Sequence, residues 1–151
     1  MQKGRAIFTS CEESAKMIKS FQKSTDTARS WNWVSENVLS GRNWQSNTVF
    51  SKFNFKVKEG KEIEYVNAWK QLMESQMDNI PGSFGLNAIS YGNRYVSHMV
   101  YLGANSMKDL SDSLAKVRST EDFAEFASVA KDIRVNVNAE LVQFVKNFNG
   151  E

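Results

Sequence analysis

The clearest change in the hydrophobic pattern comes at Thr48. Over residues 48–58, Val49, Phe53 and Val57 fall on one side of an extended chain and alternate with residues on the other side, several of them polar. This alternation predicts a half-buried strand. Over residues 63–77, apolar side chains recur at steps of three and four, which is typical of an amphipathic helix. Residues 84–91 and 95–102 then read as two strands around Gly92-Asn93, a pair that favours a two-residue hairpin loop.

Two helices and a last strand are predicted after the hairpin. Ser106 and Asp109 have the spacing of a capping box, and apolar residues follow at helical steps up to Val117. Residues 119–122 restart a helix, and residues 135–148 read as a strand whose alternation slips near Ala139-Glu140, as at a bulge. The order strand, helix, hairpin, helix, strand predicts an α+β, two-layer, ferredoxin-like βαββαβ core over residues 48–148.

The first 47 residues predict a βα(α) extension of the same domain, so that residues 1–151 form one unit. Residues 4–9 read as a short strand, and a helix follows Ser10. A second helix is expected from about Ser24, with Trp31, Val34 and Val38 as its apolar stripe and Gly41 as its end. Residues 24–54 also align without gaps on residues 119–149, which indicates either an added half-unit or a chance agreement of hydrophobic periods.

Composition narrows the classes of function. The 151 residues are 41% hydrophobic and 24% charged, with a net charge of +2, which argues against disorder and against a nucleic-acid surface. No run approaches the roughly 20 apolar residues of a membrane span, so we expect no membrane partner either. The single cysteine excludes an internal disulfide and fits a cytoplasmic protein. One cysteine and one histidine cannot supply a structural zinc site, and no metal is predicted.

The sheet should bury one face under the helices and leave the other face too apolar for water. Which side chains lie on that second face depends on the register. It carries either one set of alternating residues from each strand or the residues between them. The first of these sets is Phe50, Ile89, Tyr91, Met99 and Tyr101. Such a face usually marks an interface or a ligand site. The simplest cover is the same face of a second copy, which predicts a homodimer.

One run of sequence resembles a known superfamily. The segment FNFKVKEGKEIEYVNAWKQLMES, residues 53–75, is similar to the opening strand and first helix of the dimeric α/β-barrel superfamily, which includes small antibiotic-biosynthesis monooxygenases. The resemblance covers residues 48–148 and implies a ferredoxin-like fold and a dimer. It also implies a buried cavity lined by a tryptophan, an asparagine and sometimes a histidine or tyrosine. The first 45 residues have no place in that pattern and could themselves cover the free sheet face.

Six residues are candidates for a ligand site, and each has a structural alternative. His98 titrates near neutral pH and is the candidate catalytic residue, but a lone histidine among apolar neighbours often has only a structural role. A tryptophan can stack on a substrate or fill the core, two asparagines can bind a polar ligand end or lie exposed, and two tyrosines can line a pocket mouth or an interface. These are Trp69, Asn54, Asn87, Tyr91 and Tyr101.

Three functions remain open at this point. The first is a binding domain for an apolar or aromatic small molecule, with its cavity between sheet and helices or between subunits. The second is a small cofactor-independent oxygenase or isomerase that uses His98 with an asparagine or tyrosine. The third is a structural oligomerisation domain. No cofactor is predicted, although the resemblance leaves haem open, with the histidine as its axial ligand.

Overall fold

The computed structural model describes residues 11–24 and 33–145, and the chain divides into two compact units, residues 1–32 and 33–151. In the first unit the described element is helix α1, Glu12–Ser24. It begins with two glutamates and carries Lys23 in its last turn, the charge order that the helix dipole favours. The strand predicted over residues 4–9 lies outside the described residues. Within the described part, no helix is long and apolar enough to cross a membrane.

The second unit is a five-stranded antiparallel sheet with three helices. Short 3-10 turns at Trp44–Ser46 and Met77–Asn79 lie between the longer elements. The strands are β1 (Val34–Gly41), β2 (Val49–Val57), β3 (Phe84–Tyr91), β4 (His98–Ala104) and β5 (Arg134–Gln143). The helices are α2 (Glu62–Ser75), α3 (Met107–Arg118) and α4 (Glu121–Ile133).

The strands lie in the order β1-β3-β4-β2-β5, and each neighbouring pair is antiparallel. Strands β2 to β5 with their helices make the predicted βαββαβ arrangement, so the ferredoxin-like α+β fold is confirmed. The core lies between the sheet and α2, α3 and α4. Its most buried members, each at most 2% exposed, are Val57, Tyr65, Trp69, Met73, Ile80, Leu86, Ala104, Leu110 and Ala130.

The helix predicted from Ser24 to Gly41 is wrong in its described part, because residues 34–41 form strand β1. This strand pairs with β3, with irregular register beside Val34 and at Val38. The helical spacing of the valines was overridden because the free edge of β3 offers backbone hydrogen-bond partners along its length. Gly41 is not a helix cap either. A Cβ atom there would lie 2.2 Å from Cζ of Phe84, so glycine lets the ring pack against the strand.

A connection, a bulge and a strand end lie at positions other than those predicted. The β3–β4 connection spans residues 92–97 instead of two residues, because Asn93 Oδ1 accepts hydrogen bonds from the amides of Tyr95 and Val96 and widens the turn. The bulge in β5 falls at Val137, where the pairing with β2 skips a residue, instead of at Ala139-Glu140. Strand β5 ends at Gln143 rather than reaching residue 148, and residues 146–151 lie outside the described part.

Both predicted helix starts are present after β4. Ser106 Oγ accepts a hydrogen bond from the amide of Asp109, 3.1 Å away, and caps α3 as the capping-box pattern indicated. Helix α4 is capped by Thr120, whose Oγ1 accepts from the amide of Phe123 at 3.2 Å. These caps fix where α3 ends and α4 begins, and both helices then pack on the same sheet face.

Candidate functional site

A cavity of about 440 Å³ lies between the sheet and the three helices, and we call it the helix-side cavity. Its walls come from every helix of the unit and from strands β2, β4 and β5. Most of the lining side chains are aromatic or aliphatic. They include Phe53, Phe55, Trp69, Leu72, Met73, Val100, Leu102, Leu114, Val117, Phe123, Phe126, Ala127 and Ala130. The remaining lining residues are Arg118, Lys131, Arg134 and Asn136.

Aromatic rings hold the shape of this cavity. Phe53 and Phe55 follow each other on the helix-facing side of β2 and stack with centroids 6.4 Å apart. Trp69 is only 2% exposed and meets Phe84 edge to face at 5.9 Å. Edge-to-face and offset packing at these distances is the favoured geometry for aromatic pairs. The cavity is therefore bounded by rings that are themselves fixed by packing.

Arg134 lies at one end of the cavity inside a group of three rings. Its guanidinium carbon is 3.8 Å from the ring centroid of Phe55, 5.0 Å from that of Phe126 and 5.3 Å from that of Tyr65. Its Nη1 donates a hydrogen bond to the Tyr65 hydroxyl at 2.8 Å. Burial raises the pKa of Tyr65 to about 12, although the charge and hydrogen bond of Arg134 act in the opposite direction. The tyrosine is therefore a neutral phenol at physiological pH.

A second cavity lies on the sheet face that points away from α2, α3 and α4, which we call the far face. It has a volume of about 420 Å³. Its walls combine amide, hydroxyl and aromatic side chains from all five strands and from the first 3-10 turn. The lining residues are Ser35, Asn37, Trp44, Phe50, Lys52, Asn87, Met99, Tyr101 and Val142.

A row of amide side chains crosses the far face. In the strand register Asn37 pairs with Asn87, Asn87 with Met99, Met99 with Asn54, and Asn54 with Asn138. The Asn37 amide donates to Asn87 Oδ1 at 3.0 Å, and the Asn54 amide donates to Asn138 Oδ1 at 2.7 Å. The row thus consists of two amide pairs, one on each side of Met99, and each amide side chain can both donate and accept hydrogen bonds.

Asn54 is the most buried member of that row. It is 1% exposed, and its Nδ2 also donates to Glu140 Oε1 at 3.0 Å, while Lys52 pairs with the second oxygen of Glu140 at 3.2 Å. Its Oδ1 has no hydrogen-bond partner among the described residues. Asn54 therefore lies in a polar cluster beside the far-face cavity, and it is not one of the residues that line it.

His98 is buried beneath helix α2. Its ring meets Tyr65 edge to face at 5.6 Å, and its Nδ1 is 3.0 Å from Ser97 Oγ. It lines neither cavity. Burial lowers the pKa of His98, and the charge of Glu62 acts in the opposite direction. The described lining of the helix-side cavity includes no histidine, so these residues do not fit a haem held through a histidine axial ligand.

The buried position of His98 predicts a pH-dependent stability. The folded state binds the imidazole proton less readily than the unfolded chain, whose histidine titrates near pH 6.5. The contribution of His98 is therefore fully present above about pH 6.5, and stability is lost as the pH falls below that value. We expect His98→Gln to show a smaller decrease in the free energy of unfolding between about pH 7.5 and pH 5. Urea denaturation at both pH values measures this, and equal decreases in the two proteins would assign the effect to other groups.

The structure places the six predicted site residues in four different surroundings. Trp69 lines the helix-side cavity, whereas Asn87 and Tyr101 line the far-face cavity and Asn54 lies beside it. Tyr91 is 75% exposed and lines neither cavity. The sheet separates His98 from Asn54, Asn87 and Tyr101, so these residues do not face a common substrate. This geometry gives no support to an oxygenase or isomerase built on His98 with them.

The residues that sequence reasoning missed are those around Arg134. Phe55, Tyr65 and Phe126 come from β2, α2 and α4, and only the folded packing brings their rings to one guanidinium. A sequence signal for this group is weak, since Arg134 is simply the residue before an alternating strand. The aromatic residues were visible only as apolar positions in their elements.

No protein-family model and no curated protein matches this chain. Solved structures do match. A major regulator of staphylococcal pathogenesis aligns with a TM-score of 0.57 and 10% identity, over 81% of this chain and 74% of its own. A Fusobacterium nucleatum protein provisionally named a monooxygenase aligns with a TM-score of 0.56 and 15% identity, over 87% of this chain.

A third solved structure is of a protein related to the superfamily that residues 53–75 resemble. It is an uncharacterised ferredoxin-fold protein from Listeria monocytogenes related to antibiotic biosynthesis monooxygenases, with a TM-score of 0.52 and 8% identity, over 81% of this chain and 70% of its own. The chain spans 59% of the Fusobacterium protein and 43% of a Lactobacillus acidophilus protein named in the same way. The likeness concerns the fold alone, and the chain has the ferredoxin-like fold of the antibiotic-biosynthesis-monooxygenase-like proteins.

Proposed function

We propose that this domain binds an apolar or aromatic small molecule in the helix-side cavity. The observation that carries the proposal is a volume of about 440 Å³ between the sheet and the helices, lined mostly by aromatic and aliphatic side chains. Pockets for small molecules are usually about 300–1,000 Å³ and mostly apolar, with a few placed polar groups.

Fluorescence of 1-aminoanthracene, a neutral aromatic probe, tests this proposal. We expect saturable binding with an increase in emission as the probe leaves water. Ala127 lines the cavity from α4, so Ala127→Phe should fill part of it and weaken probe binding by about tenfold or more.

Ala124→Phe is the matched control, because Ala124 is an exposed position on the same helix and should leave the affinity unchanged. Thermal unfolding of each variant shows whether it is folded. Absence of saturable binding to the wild type would overturn the proposal, and so would equal losses of affinity in the two folded variants.

We also propose that a second copy of the chain covers the far face, giving a homodimer. Phe50, Met99, Tyr101 and Val142 supply apolar area there. The amide side chains can both donate and accept hydrogen bonds, so this surface can be complementary to its own copy across a two-fold axis. A structural oligomerisation role would need this contact alone, whereas the binding role also needs the helix-side cavity.

Sedimentation equilibrium tests the dimer. The wild type is expected to be dimeric at micromolar concentrations, and Val142→Glu should weaken the association by about tenfold or more because it buries a charge at the contact. Ile63→Glu is the control, since Ile63 is 78% exposed on helix α2 and lies on the other side of the sheet. A monomeric wild type, or equal weakening by both variants, would contradict the proposed contact.

A further inference from the structure

Three basic residues line the helix-side cavity, and the described residues of that lining include no acidic side chain. Arg118 is the last residue of α3, Lys131 lies in the last turn of α4, and Arg134 is the first residue of β5. Within residues 11–24 and 33–145, none of the three forms an ion pair. Cations at helix C-termini favour the helix dipole, which accounts for the position of Arg118 and Lys131. It does not account for Arg134, which begins a strand.

Arg134 has hydrogen-bonding capacity that the described residues leave unused. A guanidinium carries five N–H groups, and the described side-chain hydrogen bonds use only one of them, on the Tyr65 hydroxyl. The side chain is half-buried, and three rings contact it. A charge in apolar surroundings is costly unless it is paired, and ring contacts compensate only part of that cost.

The arrangement suits one kind of anionic group. The Phe55 ring, 3.8 Å from the guanidinium carbon, and the hydrogen bond to the Tyr65 hydroxyl hold the Arg134 guanidinium in place. The fork of guanidinium N–H groups matches the two oxygens of a carboxylate, and charge-assisted bonds of this type are roughly twice as strong as neutral ones. Arg118 and Lys131 add positive potential at the same cavity.

We infer that the ligand of the helix-side cavity is an amphiphilic carboxylic acid. Its apolar chain or ring lies among the aromatic side chains around Trp69, and its carboxylate binds Arg134. The inference rests on the proposed function and adds the class of ligand. It assigns the preference for the anion to all three basic residues: Arg134 pairs with the carboxylate, and Arg118 and Lys131 supply the positive potential that this pairing needs.

Displacement of bound 1-aminoanthracene by decanoate and by decanol separates the contribution of the carboxylate charge to binding from that of the apolar chain. The two competitors have the same chain length, and decanoate is ionised at neutral pH. At low ionic strength we expect decanoate to displace the probe at a concentration about tenfold or more below that of decanol. A charge-assisted hydrogen-bonded pair supplies enough binding free energy for this difference. Arg134→Met should remove this advantage and leave displacement by decanol unchanged.

Two comparisons control the Arg134 variant. Arg94→Met removes another guanidinium that lies over a ring, that of Tyr95 at 4.7 Å, outside the cavity, and should keep the preference for decanoate. If Arg134→Met does not fold, the double variant with Arg118→Gln and Lys131→Gln replaces it. Lys116→Gln is then the control, because Lys116 lies on α3 and does not line the cavity.

The outcomes distinguish the two proposals. If the probe binds and decanol displaces it, but decanoate has no advantage, the inference is wrong and the proposed function stands. The inference is also wrong, and the proposed function still stands, if Arg134→Met keeps the preference for decanoate. Where the double variant replaces Arg134→Met, a preference kept in the double variant has the same meaning. If neither the probe nor the competitors bind, the proposed function itself fails. A lost preference in the cavity variants, with the preference kept in Arg94→Met and Lys116→Gln, supports the inference.

Discussion

Replacing Gly82 by alanine is expected to lower the free energy of unfolding by about 3 kcal/mol, the upper end of what overpacking usually costs. A Cβ atom at this buried position would lie 1.7 Å from the carbonyl oxygen of Gly103 and 2.6 Å from its carbonyl carbon. These are backbone atoms of β4, so no side-chain rotation relieves the collision. The amide of Gly103 also donates to the carbonyl of Ser83 at 2.7 Å, which holds the two segments together. Urea denaturation measures the loss.

Gly60→Ala provides the control for conformational strain. Gly60 has φ +79, and a Cβ atom there meets nothing within 4 Å. Its replacement should cost about 1 kcal/mol, from the unfavourable left-handed backbone alone. If the two alanine variants lose the same stability, then the close approach of Gly82 to Gly103 is not what requires glycine at that position.

Local patterns were sufficient for most of the ferredoxin-like core. The alternation in β2, the helical steps of α2 and the caps of α3 and α4 depend on residues close in sequence, so they could be predicted. Strand β1 could not, because its state depends on pairing with β3, some fifty residues away. The wider β3–β4 connection depended on Asn93, whose side chain accepts from two amides of the turn.

The candidate site was predictable only in part. Strand alternation correctly places His98 opposite Met99 and Tyr101, but it does not say which of these faces the helices cover. The amide row needs the register of all five strands, which no single segment encodes. The rings around Arg134 come from three different elements, which only the fold brings together. Arg134 stands out because the described residues leave most of its N–H groups without a hydrogen-bond partner. Neither property has a local sequence signal.

Phe126 is one of the three rings around Arg134, and its loss should destabilise the fold strongly. Phe126 is 6% exposed, and its ring centroid lies 6.3 Å from that of Tyr65 and 6.2 Å from that of Phe123. Phe126→Ala is expected to lower the free energy of unfolding by about 3–5 kcal/mol, from lost burial and from the space left behind. That space would join the existing helix-side cavity, because Phe126 already lines it.

An apolar ligand should therefore stabilise the Phe126→Ala variant. At a hundred times its dissociation constant, 1-aminoanthracene should raise the free energy of unfolding of this variant by about 2.7 kcal/mol, if the probe binds only the folded state. Phe144→Ala is the control, since Phe144 is 38% exposed, and among the described residues its ring meets that of Trp44 at 6.3 Å. Its loss should cost less than about 1 kcal/mol. A large loss of stability without recovery by the probe would mean that the enlarged space does not bind it. Equal losses in the two variants would show that the ring of Phe126 is not part of the main core.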